Sequence, residues 1–352
     1  MKRIRLLCAL LFCIMLLIGT SAFAAGPQPW MDAADTALQR AFSEIGATKG
    51  QDGLLLLTNA GYGMVDGRST EQFIDLGQKD VGCSIGSRNL MLIHGSILDP
   101  LWFSLYRKGS NKIVFVKWTG SGFEQQILDG TPDKILTPEG WKQAASGLIG
   151  PNTFSVVSFS LAWAVNPPWT LLLSAAFHDH FCPGVNAGYI AGQYVMDKLP
   201  LGPGDKYVFS SAPTKCWADA LQVMFNATPG KSSGYSMAIS GKKLKEYGTD
   251  GVDPMTVAMR INQKKDSCTG LVLGFDWNKA YDATGVKADE FYCKGGPSNP
   301  MFWVARAKMA RTLAGMPREK LLGYIVELKS FSGPAKLANQ IGGGDPYQTV
   351  MK

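Results

Sequence analysis

The chain has only three histidines among its 352 residues: His94, His178 and His180. It contains no Cys-x-x-Cys, which disfavours zinc ribbons, thioredoxin-like redox pairs and c-type haem attachment. It has no long basic run, so nucleic acid is not an expected partner. Beyond residue 25 no stretch offers about 18 consecutive apolar residues free of charges and breakers, so no membrane-embedded segment is expected. The nearest approach, Phe154 to Phe177, is cut by Asn166-Pro167-Pro168. It reads as an interior strand, a turn and the entry to a motif. The P-loop spacing Gly-x4-Gly-Lys-Ser/Thr is also missing. Lys231, in Thr228-Pro229-Gly230-Lys231-Ser232-Ser233, is a candidate anion-binding loop residue instead.

The first 25 residues read as a secretory signal peptide. Lys2, Arg3 and Arg5 open it, Leu6 to Ile18 is a short apolar run, and Ala22-Phe23-Ala24 is a small-x-small cleavage site. The expected product is an exported, periplasmic or extracellular protein. Losing those three basic residues lowers the formal charge from +7 to +4. About 327 residues remain, enough for a sizeable core and two domains. Five cysteines remain as well, Cys83, Cys182, Cys216, Cys268 and Cys293, and an odd number leaves at least one free thiol or metal ligand. Cys268 with Cys293 is the first pair to consider for a bridge.

Periodicity predicts a helix over Met31 to Ile45 and a buried strand over Gly53 to Leu57. Leu90 to Ile97, Pro100 to Arg107 and Lys112 to Trp118 look like antiparallel strands, the last two joined by Lys108-Gly109-Ser110-Asn111. The second half resembles the first. Asp253 to Arg260, a polar turn and Gly270 to Trp277 repeat the plan of Asp99 to Arg107 and Ile113 to Trp118. The expected fold class is α+β, with two related units of antiparallel strands packed with helices, a pseudo-dimer within one chain. The expected units are 26–150 and 151–299. They are followed by a segment, 300–352, holding a helix over Pro300 to Ala314, a strand over Leu321 to Leu328 and a loose tail from Gly342.

Two histidines fall within four residues of a cysteine in Phe177-His178-Asp179-His180-Phe181-Cys182-Pro183-Gly184. In an extended segment His178, His180 and Cys182 would share one side, with Asp179 opposite as a solvent or supporting group. Pro183 suits the first position of a helix running to Lys198, which puts Cys182 at its N-cap, where a thiolate is stabilised. Two imidazoles and a thiolate suit zinc or a similar divalent transition ion. They suit equally an activated thiol beside a base. Cys216, after the strand Tyr207 to Ser211, stands at a second helix start beside Lys215, with Asp219 and Gln222 one turn on. It reads either as a buried structural cysteine or as a further ligand. His94 and Cys83 have no partner at metal-ligand spacing and read as structural.

At these residues the chain resembles the FmdE family, which takes its name from formylmethanofuran dehydrogenase. The hallmark His-Gly-His-x-Cys-Pro-Gly appears as His178 to Gly184, with Asp179 for the middle Gly. A Cys-x-x-Asp-Ala-Ile-Gln helix appears as Cys216 to Gln222, and a Gly-Cys-Thr-x-Gly-Lys loop as Asn226 to Lys231. The first half carries a similar loop, Gly82 to Leu90, but lacks the histidine turn, and Tyr62 lies near where a second cysteine would fall. The family's C-terminal zinc ribbon is missing. The resemblance implies an α+β fold, a homodimer-like arrangement and a metal-binding or catalytic pocket around the His and Cys residues. It does not imply formylmethanofuran oxidation.

Three functions follow as expectations. In the first, a zinc site of His178, His180, Cys182 and Cys216 polarises a small-molecule substrate or activates water, with Cys216 or Asp219 assisting and Lys231 holding an anionic group. In the second, the same residues carry a metal or cofactor without turnover. In the third, Cys182 is a metal-independent nucleophile with His180 as its base.

Overall fold

The computed structural model describes residues 28–351; the expected signal peptide lies outside them. Two five-stranded sheets packed with helices give an α+β fold. The first runs, edge to edge, Leu90–Leu92, Leu54–Thr58, Trp102–Arg107, Lys112–Trp118 and Phe123–Asp129. The second runs Gly234–Ser236, Asp205–Ser211, Pro254–Asn262, Ser267–Phe275 and Ile325–Gly333. The order is the same in both. The first strand in sequence pairs in parallel with an edge strand, reached through the helix Gln72–Val81 or Cys216–Phe225, and antiparallel with the third. Each linking helix ends on a left-handed residue, Gly82 or Asn226. A buried residue follows it, Cys83 or Ala227.

Strand alternation sets the layers. In the first sheet Leu55 and Leu57 point into a large shared core, while Leu54 and Leu56 face a smaller core under the helix Met31–Ile45. In the second sheet Phe209, Ala258, Leu271 and Leu273 join the shared core. Val208, Val257, Met259 and Val272 face a third core, closed by the C-terminal helices. Between the sheets lie the helices Thr153–Trp163, Trp169–Phe177, Pro183–Lys198 and Pro300–Ala314, which contribute most of the rest of the shared core.

Several sequence expectations are corrected here. Phe154 to Phe177 is not a strand and turn but two helices, broken at Asn166-Pro167-Pro168. The first is buried over nearly its whole circumference, so it lacks the apolar stripe that marks a surface helix and reads like a buried strand. Leu90 to Ile97 reduces to a three-residue parallel edge strand. Phe123–Asp129 is an unanticipated edge strand, its Glu124, Gln125 and Gln126 too polar to signal one. The strand expected from Leu321 begins at Ile325, after the short helix Arg318–Leu322, and completes the second sheet. The residues after Gly342 are not loose: Tyr347, in the helix Pro346–Met351, is fully buried and donates to the carbonyl of Ala212. No helix among the described residues is long and apolar enough to cross a membrane.

Candidate metal centre

The histidine turn is a helix-to-helix reversal, not an extended segment. His178 caps the helix Trp169–Phe177 in a right-handed conformation, and Asp179 has φ +71°. That left-handed conformation favours glycine and is tolerated by Asp, which accounts for a Gly-to-Asp exchange at this position. Phe181, fully buried, anchors the turn, and its N–H donates to Ser158 Oγ. Cys182 is then extended and caps the helix Pro183–Lys198, as its place before Pro183 requires. The N–H of Val185 points at its sulfur, 3.4 Å away.

Cys216 arrives as the first residue of a second helix, Cys216–Phe225. The two helices approach closely because the first carries glycine at every fourth position. A Cβ on Gly184 would lie 2.9 Å from Cys216 Cβ and 3.2 Å from its sulfur. A Cβ on Gly188 would lie 2.5 Å from the Trp217 carbonyl oxygen, and one on Gly192 2.6 Å from the end of Met224. This glycine stripe was legible in the sequence as an i, i+4, i+8 spacing, yet its purpose shows only once the second helix is in place.

His178, Cys182 and Cys216 thereby bring one ligand atom each within 4.8 Å of one another. His178 Nδ1 is 2.7 Å from Asp219 Oδ2, which fixes the tautomer with the proton on Nδ1 and leaves Nε2 as the donor for an ion. Nε2 is buried, meets no hydrogen-bonding nitrogen or oxygen, and has the Cys216 sulfur as its polar neighbour. Bonds of about 2.0–2.3 Å to a tetrahedral ion place its ligand atoms roughly 3.5–3.8 Å apart, so small side-chain adjustments close this triad on one. The cluster could hold a metal.

The electrostatics separate the two thiols. Cys216 is held down to about 4 by the hydrogen bond from Cys182 and, against its burial, by the neighbouring His178. Cys182, almost wholly buried, is pushed well up by that burial and by the Cys216 sulfur. Burial pulls His178 down, but the Asp219 hydrogen bond and the Cys216 sulfur outweigh it and raise the group to about 10. Without an ion the cluster therefore holds a thiol on Cys182, a thiolate on Cys216 and an imidazolium on His178.

His180 lies beside the triad but is not among its three converging ligands. Its Nδ1 pairs with Asp179, its ring packs on Phe154, and its centroid is 4.4 Å from that of His178. Together with Cys182 and Cys216 it lines a cavity of about 530 Å³. Lys215 lines the same cavity, whereas Lys231 is exposed on the turn Pro229–Lys231 and borders a different depression, beside Tyr207 and Phe225. Asp219 is a support for His178. His94 stacks on Phe177 at 5.3 Å and belongs to no ligand cluster among the described residues. Cys83 is buried, its thiol pushed up to about 12 by burial. Cys268 and Cys293 form no bridge; both are free.

A family model described as FmdE, molybdenum formylmethanofuran dehydrogenase operon, matches residues 177–321, a span that opens on this turn and contains all three clustered ligands. Residues 177–321 are an FmdE-like domain. The match leaves the first sheet outside it. No curated protein matches the chain. Within the FmdE-like domain the donors come from one helix C-terminus and two helix N-termini, so the site is made by the packing of three helices.

Proposed function

We propose that this is an exported protein whose FmdE-like domain holds a divalent transition ion, zinc, on His178, Cys182 and Cys216, and acts there on a small molecule. The observation that carries the reading is the convergence of two sulfurs and a buried imidazole nitrogen, held off every other polar group, beside an open cavity. Three protein ligands with access from a cavity is the pattern of a reactive zinc site, where structural sites are closed by four. When bound, the ion supplies a Lewis acid. Asp219 orients His178, and His180, its Nδ1 engaged by Asp179, offers Nε2 to hold or move a proton of a ligand in the cavity. Export rests on the N-terminal sequence. The shared strand order of the two sheets supports two divergent copies of one unit, the first without the histidine turn.

The test is metal analysis of the purified protein. One equivalent of zinc is expected in the wild type, with loss in His178→Ala, Cys182→Ala and Cys216→Ala. A metal-free wild type, or unchanged occupancy in the three variants, overturns the reading. A thiol enzyme is the second reading, favoured by the depressed pKa of Cys216. It makes Cys216 the nucleophile in place of the buried Cys182, and zinc would then inhibit.

A further inference from the structure

The cavity beside the two sulfurs holds a cation without a counter-ion. Arg306, from the helix Pro300–Ala314, lies with its guanidinium carbon 3.3 Å from the centroid of the Phe302 ring and 4.1 Å from that of Phe291. Its Nη1 donates to the carbonyls of Phe291 at 2.8 Å and Phe302 at 2.9 Å. These contacts fix the plane and position of the group. Nε and Nη2, the edge that takes a carboxylate side-on, have no hydrogen-bond partner among the described residues, and no Asp or Glu there pairs with the group. Burial pulls the guanidinium pKa down, the sign of a charge held away from water.

The walls are flat and apolar. Trp217, Phe275, Trp277, Phe291, Phe302 and Trp303 all border the space. Its size of about 530 Å³ suits a compact molecule of one or two rings. The charges also point one way. A divalent ion on two thiolates and a neutral imidazole is neutral overall, so Arg306 and Lys215 against Asp253 leave the lining cationic. A tetrahedral phosphate would ask for donors from several directions, whereas the fixed planar edge of one guanidinium matches a planar carboxylate.

We propose that the ligand of this cavity is a small aromatic carboxylate, its carboxylate held side-on by Arg306 and its ring between the aromatic walls, in the same space as the Cys182 and Cys216 sulfurs. This deepens the function proposed above and rests on the cavity being its substrate site.

Calorimetric titration of the zinc-loaded protein with 2-naphthoate and with its neutral isostere 2-naphthamide tests it. Naphthoate should bind at least about tenfold more tightly, the value of one charge-assisted pair. Arg306→Met should erase that preference, and Arg306→Lys, which keeps the charge but not the fork, should keep only part of it. Equal binding of the two probes by the wild type overturns the proposal whatever the variants do. So does absence of naphthoate binding up to several millimolar, or wild-type naphthoate affinity in a folded Arg306→Met. The same titration on the zinc-free wild type, beside its metal analysis, separates the two readings. Arg306-dependent naphthoate binding in a protein that takes no zinc in its wild-type form would sink the metal site alone. Zinc binding without naphthoate selectivity would sink the carboxylate alone.

Discussion

Replacing Gly188 by alanine would put a methyl group where two helices touch. The new Cβ would lie 2.5 Å from the Trp217 carbonyl oxygen, 2.6 Å from Trp217 Cα and 2.8 Å from Ala220 Cβ. Two of these atoms are backbone and cannot rotate away. Ordinary contact begins near about 3.5 Å, so the helix Cys216–Phe225 must retreat by roughly 1 Å. Cys216 is its first residue and moves with it. Metal–ligand distances tolerate only about 0.2 Å, so the triad should no longer close on one ion without distorting its own turn. Overpacking of this kind costs about 1–3 kcal/mol. That corresponds to a fall in Tm of about 1–5 °C for a chain of this size. Zinc affinity should fall at least about tenfold. Thermal unfolding of the metal-free protein and zinc titration against a chelating dye measure the two effects. Gly86→Ala is the control, since its Cβ would meet nothing within 4 Å. Wild-type Tm and zinc affinity in Gly188→Ala would refute the claim that glycine-mediated helix contact sets the cysteine spacing.

Asp219→Asn should lower zinc affinity by about 10–100-fold while leaving the fold intact, because Asp219 only orients the His178 ring. Competition with a chelator reads this out, and an unchanged constant would remove Asp219 from the site. In metal-free protein Cys216 should react with iodoacetamide as a thiolate from about pH 5 upward, since its folded pKa of about 4 lies below the ordinary thiol value. The sign follows: this ionisation contributes stability above the unfolded thiol pKa and loses it as pH falls through about 4. Cys83 and Cys268, at about 12 and about 11, should stay unlabelled in the folded state. A labelling rate at Cys216 that rises only near pH 8–9 would show that the pair does not share its proton in this way.

The sequence by itself determined the local events, because each is governed by residues a few positions apart. Pro183 after Cys182 dictates a helix start with the thiol at its cap, and the helices Met31–Ile45 and Pro300–Ala314 follow from their own periodicity. The ligand-type cluster His178 to Cys182 was visible for the same reason, and Asp219 was placed near it by a helical turn from Cys216. What only the tertiary structure decided is which of these side chains meet. The turn at Asp179 keeps the two histidine rings side by side, as alternation had grouped them, yet the ligand atoms that converge are those of His178, Cys182 and Cys216. Lys231, close to Cys216 in sequence, ends on a different surface because the whole helix Cys216–Phe225 lies between them. Arg306 lies more than a hundred residues from His180, with no local pattern to mark it, and enters the cavity only because the helix Pro300–Ala314 packs between the sheets. A buried helix has no polar face to betray its period, and a site assembled from separate helix ends has no spacing to betray its members.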